Sequence, residues 1–423
     1  IGILLWRFVM VSSLKKMKLI AISATMSLLL AAMLACNIGG EADAPAAEPM
    51  ASEPIKFGMI LVGPRNDRGW SQAHHDGGAY AAQKTGSEMI VMDFINPADS
   101  PDITVAQVVD QMVEQGAELI FATSEDMKDG ILEAAASHPD VPMIWSSGDS
   151  AWADGDAYHP ELANLGNIMG KMEYGKMMAG CAAALKTETG NIGFVGPLIN
   201  AETKRLANSA YLGAKYCWEE SRGKNIADLN FEIKWIGFWF HIPGVTLDPT
   251  VVTNDFYDSG ADVVISGIDT TQVIVEAGKR NSSGEQVWAV PYDYHGACAE
   301  APGACLGVPY FNWGPSYLNT INAVANDNFS ATWKWLGPDW SNINNEDTSM
   351  IGFAKGDALG DDNWDTLNNK FIKGLANGDI NLFKGPLQYQ DGSTFVAAGE
   401  EASDKQIWYT TGLLEGIIGD AGD

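Results

Sequence analysis

Positive charge is scarce in this chain, and so are the residues that hold metals or build nucleophilic centres. The 26 lysines and arginines face 54 aspartates and glutamates, for a formal net charge of −28. That balance argues against nucleic acid as a partner and against charge-driven attachment to an anionic membrane surface. There are 5 cysteines and 6 histidines. No two cysteines stand in C-x-x-C spacing, which excludes a zinc ribbon. His74, His75 and Asp76 form a local cluster, but adjacent residues on a helix point in different directions and cannot chelate together. His138, His159, His241 and His295 are isolated in sequence, and no metal site is expected. Also missing are a G-x-S-x-G elbow, a G-x-x-x-x-G-K-[ST] phosphate loop and a G-x-G-x-x-G turn after the first strand. Ser150 in "GDSAW" has no base supplied by its surroundings, and the acidic "DGDAYHPE" lacks calcium-loop spacing. Neither catalysis nor a cofactor is expected.

Long apolar runs are equally rare. The single extended one, "LIAISATMSLLLAAMLA", follows the cationic "LKKMK" and stops at Cys36. Its shortness and the small, acidic residues after it read as a signal peptide over 1–36 rather than a spanning helix. "AAMLAC" resembles a bacterial lipobox, so Cys36 is the expected lipidated residue, anchoring the mature chain to a membrane. With Ile1 at the start of the sequence, the expected initiator is Met10 or Met17. The Ala/Glu/Pro-rich residues 37–54 read as a disordered tether. Cys298 and Cys305, in "CAEAPGAC", could close a short loop in an oxidising compartment, a pairing the spacing leaves open.

What is present is a long alternation. Roughly 370 residues follow the tether, more than one ordinary core, so two lobes are expected. Eight apolar runs read as strands: "IKFGMILVG", "EMIVMDFI", "AELIFATS", "VPMIWSS", "NIGFVG", "FEIKWIGFW", "ADVVISG" and "QVWAVPYD". Most are too continuously apolar to have a wet face, as in a parallel sheet covered on both sides. Helical patterns such as "VAQVVDQMVEQG" and "KRLANSAYLGAKYCWEE" lie between them, which points to an α/β, doubly wound architecture. An internal echo supports two similar lobes. "VVDQMVEQGAELIFATS" parallels "VVTNDFYDSGADVVISGI", each placing a Gly where a helix ends in a left-handed turn before a strand.

In open α/β sheets, ligands sit at the carboxyl ends of the strands. The strand tails here are "GPRNDRGW", Thr123-Ser124, "SSGDSAW", "GPLIN", "WFH", "SGIDTT" and "YDYHG". Trp70 and Trp239 each follow a strand, one in each half, and two such faces could sandwich a flat ring. Stacking of this kind contributes about 1–3 kcal/mol per base. Asn66, Asp67, Asp269 and Asp293 lie at the same edges and could read ring donors and acceptors, although Asp also serves turns and N-caps. Trp313 occupies a similar position after a strand.

These motifs resemble the basic membrane protein family of ABC-importer solute-binding lipoproteins, whose members include purine nucleoside receptors. The resemblance is carried by "GPRNDRGWSQAHHDGG", "GKMEYGKMMAGCAAALKTETGNIGFVG", "RLANSAYLGAK", "GADVVISGIDTT", "VPYDYHG", "NWGPSY" and "FKGPLQYQDGSTFVAAGE". It implies a type I periplasmic-binding-protein fold, with two parallel-sheet lobes joined by a three-segment hinge. Lobe 1 is then expected over 55–165 plus about 297–332, and lobe 2 over 166–296 plus about 333–423. The resemblance also implies roles. Trp70 and Trp239 take the stacking positions, Asn66 and Asp67 the base edge, and His74 a helix-start histidine of one branch. Ser124 lies at a cleft-facing strand end, Asp269 at the acidic position after "GADV", and Asp293 at the first Asp of an element that contacts ribose. The second Asp of that element is His295 here, and the family's ribose-contacting Lys is absent from "GVPYFNWGPSY", which favours a purine base over a nucleoside.

The function expected is therefore capture of a purine-like ligand outside the cytoplasmic membrane, with an ABC permease and its ATPase subunits as partners and a monomeric receptor. A sensor subunit of the same fold feeding a signalling partner is the alternative, and a nucleoside hydrolase a third.

Overall fold

The computed structural model of the chain describes residues 53–422. The expected signal peptide, Cys36 and nearly all of the tether lie outside the described residues.

Every apolar run singled out above is a strand. In the first half these are β1 (Lys56–Ile60), β2 (Glu88–Met92), β3 (Leu119–Ala122) and β4 (Met143–Ser146), followed by β5 (Leu165–Gly170). In the second half they are β6 (Asn191–Gly196), β7 (Asn230–Trp235), β8 (Val263–Ser266) and β9 (Trp288–Val290). β3, β4 and β8 are buried along their whole length, as strands covered on both faces must be. Three further strands follow, β10 (Gly307–Phe311), β11 (Trp333–Leu336) and β12 (Ile351–Lys355). One parallel sheet runs β11-β5-β4-β3-β1-β2; a second runs Ile417–Ile418, β7, β6, β8, β9. β10 and β12 pair antiparallel between them.

The intervening helices are α1 (Trp70–Thr85), α2 (Val105–Glu114), α3 (Lys128–Ser137), α4 (Met172–Lys186), α5 (Ala201–Tyr216), α6 (Pro249–Asp258), α7 (Gln272–Ser282) and α8 (Gly314–Ala325). Their starts are written locally. Thr104 with Gln107, and Asn200 with Thr203, form reciprocal capping boxes at α2 and α5. Asp248 caps α6, with Pro249 in its first turn. The two echoed glycines, Gly116 and Gly260, have φ of 89° and 98°, the left-handed turn expected after α2 and α6.

The chain changes sheet three times: from β5 into α4, which packs on α5; from β9 through β10 to α8, which packs on α1; and from β11 into β12. The expected lobe boundaries need correction at two strands. β5 and β11, assigned above largely to lobe 2, belong to the first sheet, where β11 pairs with β5 in the register Trp333↔Asn167 to Leu336↔Gly170. β11 joins an edge far away in sequence, a pairing that no local pattern encodes. Cys298 and Cys305 are bonded, and so are Cys181 and Cys217. The second pair ties α4 to the end of α5, two helices whose packing brings the thiols together across 36 residues.

Candidate ligand-binding site

One small cavity, about 20 Å³ and partly open to solvent, lies where the carboxyl ends of the two sheets meet. The first sheet contributes Trp70, Ser124, Glu125 and Ser147; the second contributes Glu202, Trp239, Asp269 and Tyr292. Each of these follows a parallel strand, β1, β3 and β4 on one side and β6 to β9 on the other, as an open α/β sheet requires.

The two tryptophans are held very differently. Trp70 is 7% exposed, and its indole N–H donates to the carbonyl of Thr123 at 2.6 Å. Edge contacts from His74, Phe311 and Trp313 hold the ring at 4.6, 5.2 and 5.6 Å between centroids. Those three supports are themselves stacked, with Phe311 on Trp313 at 5.0 Å and His74 on Trp313 at 4.0 Å. Trp239 sits half-buried in the turn after β7, where its carbonyl accepts the N–H of Asp269 at 3.0 Å. Asp269 in turn offers its own carbonyl to the N–H of Trp70, at 3.4 Å. A backbone path thus runs from one jaw to the other. Gly69 makes the approach possible, since a Cβ there would fall on the Asp269 carbonyl oxygen.

The cavity's polar groups are short of partners. Asp269 and Glu202 are 6% and 8% exposed, and neither carboxyl has a hydrogen-bond partner among the described residues. Burial, then the neighbouring Asp293, Asp67 and Glu202 charges, push Asp269 well above the usual carboxylate range. Burial raises Glu202 to about 7, helped by Glu125 and Glu173 and opposed by Arg205. Ser147 holds a left-handed φ of 68°, and its buried hydroxyl has no partner. Below the floor, the ammonium of Lys176 donates to the Ser266 carbonyl at 2.6 Å and lies 3.1 Å from the centre of the Tyr292 ring. Burial lowers that amine to about 7, and the charge of Asp293 opposes the shift.

Residues 55–337 match the family model Bmp, described as an ABC transporter substrate-binding protein, PnrA-like. The chain belongs to that family. A purine-binding protein of Brucella abortus (strain 2308) is 25% identical over 359 residues, which cover 84% of this chain and 91% of the relative. A putative ABC transporter glucose-binding protein of Haloferax volcanii is 23% identical over 68% of this chain and 66% of its own length. An ABC transporter solute-binding protein of Aeropyrum pernix K1 superposes with a TM-score of 0.59 at 12% identity, over 78% of this chain and 93% of that one. The fold is thus the two-lobed type I periplasmic-binding-protein fold implied by the motifs.

Within this Bmp-family substrate-binding protein, four of the nine expected ligand residues line the cavity: Trp70, Ser124, Trp239 and Asp269. The other five lie elsewhere. Asn66 is exposed in the turn before α1. The Asp67 carboxylate accepts the N–H groups of Gly69, Ser71 and Gln72 at 2.8, 3.0 and 2.9 Å, so it caps α1. His74 and Trp313 are fully buried behind Trp70, His74 with its Nδ1 2.5 Å from the Tyr317 hydroxyl. Burial holds that imidazole well below its ordinary pKa, and so neutral. Asp293 is also fully buried; its carbonyl accepts the Phe311 N–H at 3.1 Å, and neither carboxylate oxygen has a partner.

Sequence reasoning missed Glu125, Ser147, Glu202 and Tyr292. Three of them stand in or beside the strand tails already named, so position after a strand was the available signal. Glu202 was obscured because an acid in a helix's first turn reads as a partner for the helix dipole.

Proposed function

We propose that this protein is the extracytoplasmic receptor of an ABC importer for a purine-type nucleobase, anchored through Cys36 and handing its cargo to a permease whose ATPase subunits supply the energy. The observation that carries the reading is the placement of Trp70 and Trp239, from different sheets, around one cavity lined with carboxyls. The purine-binding name of the Brucella relative supports the same cargo. Ligand entering between open lobes is clamped by the two indoles. The backbone contact from Gly69-Trp70 to Asp269 then forms as the hinge shuts. Only a ligand that binds the closed form more tightly than the open one can signal to the permease.

A base is favoured over a nucleoside because both ribose-reading positions are withdrawn: Asp293 is fully buried and His295 is exposed. No reaction is assigned to the chain. The Ser147 hydroxyl, which stands in the cavity, has no base against it. Thermal-shift screening of the chain beyond Cys36 against nucleobases, nucleosides and glucose tests the reading, since a ligand of the folded state raises its melting temperature. A shift with nucleobases alone is the expected result. A shift with glucose alone, or with no purine, contradicts it.

A further inference from the structure

The cavity's charge is one-sided. Three carboxyl side chains line it, Glu125, Glu202 and Asp269, and no lysine, arginine or histidine does. The nearest cations are committed elsewhere. Arg205 pairs with Glu173 at 2.7 Å and lies against the Trp408 ring, while Lys176 is bound to the Ser266 carbonyl beneath Tyr292. The indole N–H of Trp70, which could have met a ring acceptor, is spent on Thr123. The Asp269 and Glu202 carboxyls open onto the cavity without a partner in the protein, so a donor on a ligand can complete them. We propose that the cavity selects flat rings rich in N–H donors, those bearing an exocyclic amino group or a protonated ring nitrogen, and rejects anionic and acceptor-only rings. Asp269 and Glu202 are the accepting groups, one from the loop after β8 and one from the first turn of α5. The inference rests on the nucleobase reading above and narrows it to amino-bearing bases.

The raised proton affinities of the two carboxyls fit this assignment. In the empty cavity Asp269 faces Asp293, Asp67 and Glu202, while Glu202 faces Glu125 and Glu173, with Arg205 as its counter-charge. A donor-bearing ring supplies the positive edge that lets these groups ionise. Binding therefore releases protons and strengthens as pH rises through about 7, where Glu202 loses its proton.

Two ligand pairs that differ by a single amino group test the proposal on the unaltered protein: adenine against unsubstituted purine, and guanine against hypoxanthine, by calorimetry in buffers of different ionisation enthalpy. The amino-bearing member of each pair binds on the order of tenfold tighter or more, the effect of one charge-assisted hydrogen bond, with heat that depends on the buffer. In Glu202→Gln and Asp269→Asn, each first shown to unfold cooperatively, that advantage shrinks. Equal or tighter binding of purine and hypoxanthine overturns the inference and leaves the nucleobase reading standing. If no base of either kind binds the folded protein, both fall.

Discussion

The two jaws of the cavity are built on opposite plans. The Trp70 jaw is part of a core: its ring is fixed by the Thr123 carbonyl and propped by a stack of His74, Phe311 and Trp313. The Trp239 jaw is a half-buried turn, tied to the loop after β8 through the backbone N–H of Asp269. The first sheet supplies a rigid aromatic wall and hydroxyls, and the second supplies most of the charge. On the proposed reading, one wall positions a ring while the other adapts to it and reads its edge.

The sharpest way to break this comparison is to remove each ring in turn. Trp70→Ala empties a packed site and should lower stability by about 3–5 kcal/mol in addition to weakening ligand binding. Trp239→Ala should weaken binding by about 1–3 kcal/mol while moving the chemical-denaturation midpoint far less. Equal stability losses would show that the jaws are not differently built. Next in size is Gly69→Ala, which leaves both rings in place but puts a methyl on the Asp269 carbonyl. Binding should fall about tenfold or more, with a slower association rate in stopped-flow, while unfolding of the ligand-free protein changes little.

A smaller effect separates the charged wall from the aromatic one. The folded-state proton affinity of Glu202 is raised from the ordinary 4.5 to about 7, so the native chain holds a proton that the unfolded chain has lost in that window. Its contribution to stability is complete below about 4.5 and is lost as pH rises through about 7. Unfolding midpoints of the ligand-free protein at about pH 5 and about pH 8 should therefore differ less in Glu202→Gln than in the parent. An unchanged difference would place Glu202 outside the buried acidic group. Smallest of all is Asn66→Ala, an exposed turn residue, for which affinity and stability should both stay within about 0.5 kcal/mol of the parent.

Much of the framework was legible because it is local. Buried parallel strands announce themselves as continuous apolar runs, and Gly116 and Gly260 mark the same helix-to-strand turn in both halves. β5, interrupted by Gly166 and Asn167, β10, with Pro309 inside it, and the four-residue β11 carry no comparable signature. Their partners are set by tertiary packing, which is why the lobe boundaries shifted.

The site was legible in the same measure. Trp70 and Trp239 could be placed at the cavity from the sequence because position after a strand is readable. His74 and Trp313 were placed one layer too far forward, because an aromatic beside a cleft and an aromatic supporting one look alike in sequence. Asp67 followed the commoner habit of its residue type and capped a helix.

A crystal structure of the protein with adenine tests the central claim most directly. The account places the ring plane between the indoles of Trp70 and Trp239, with an N–H of its edge within hydrogen-bonding distance of the Asp269 or Glu202 carboxylate. A ring bound outside this cavity, or touching only one of the two indoles, would contradict it.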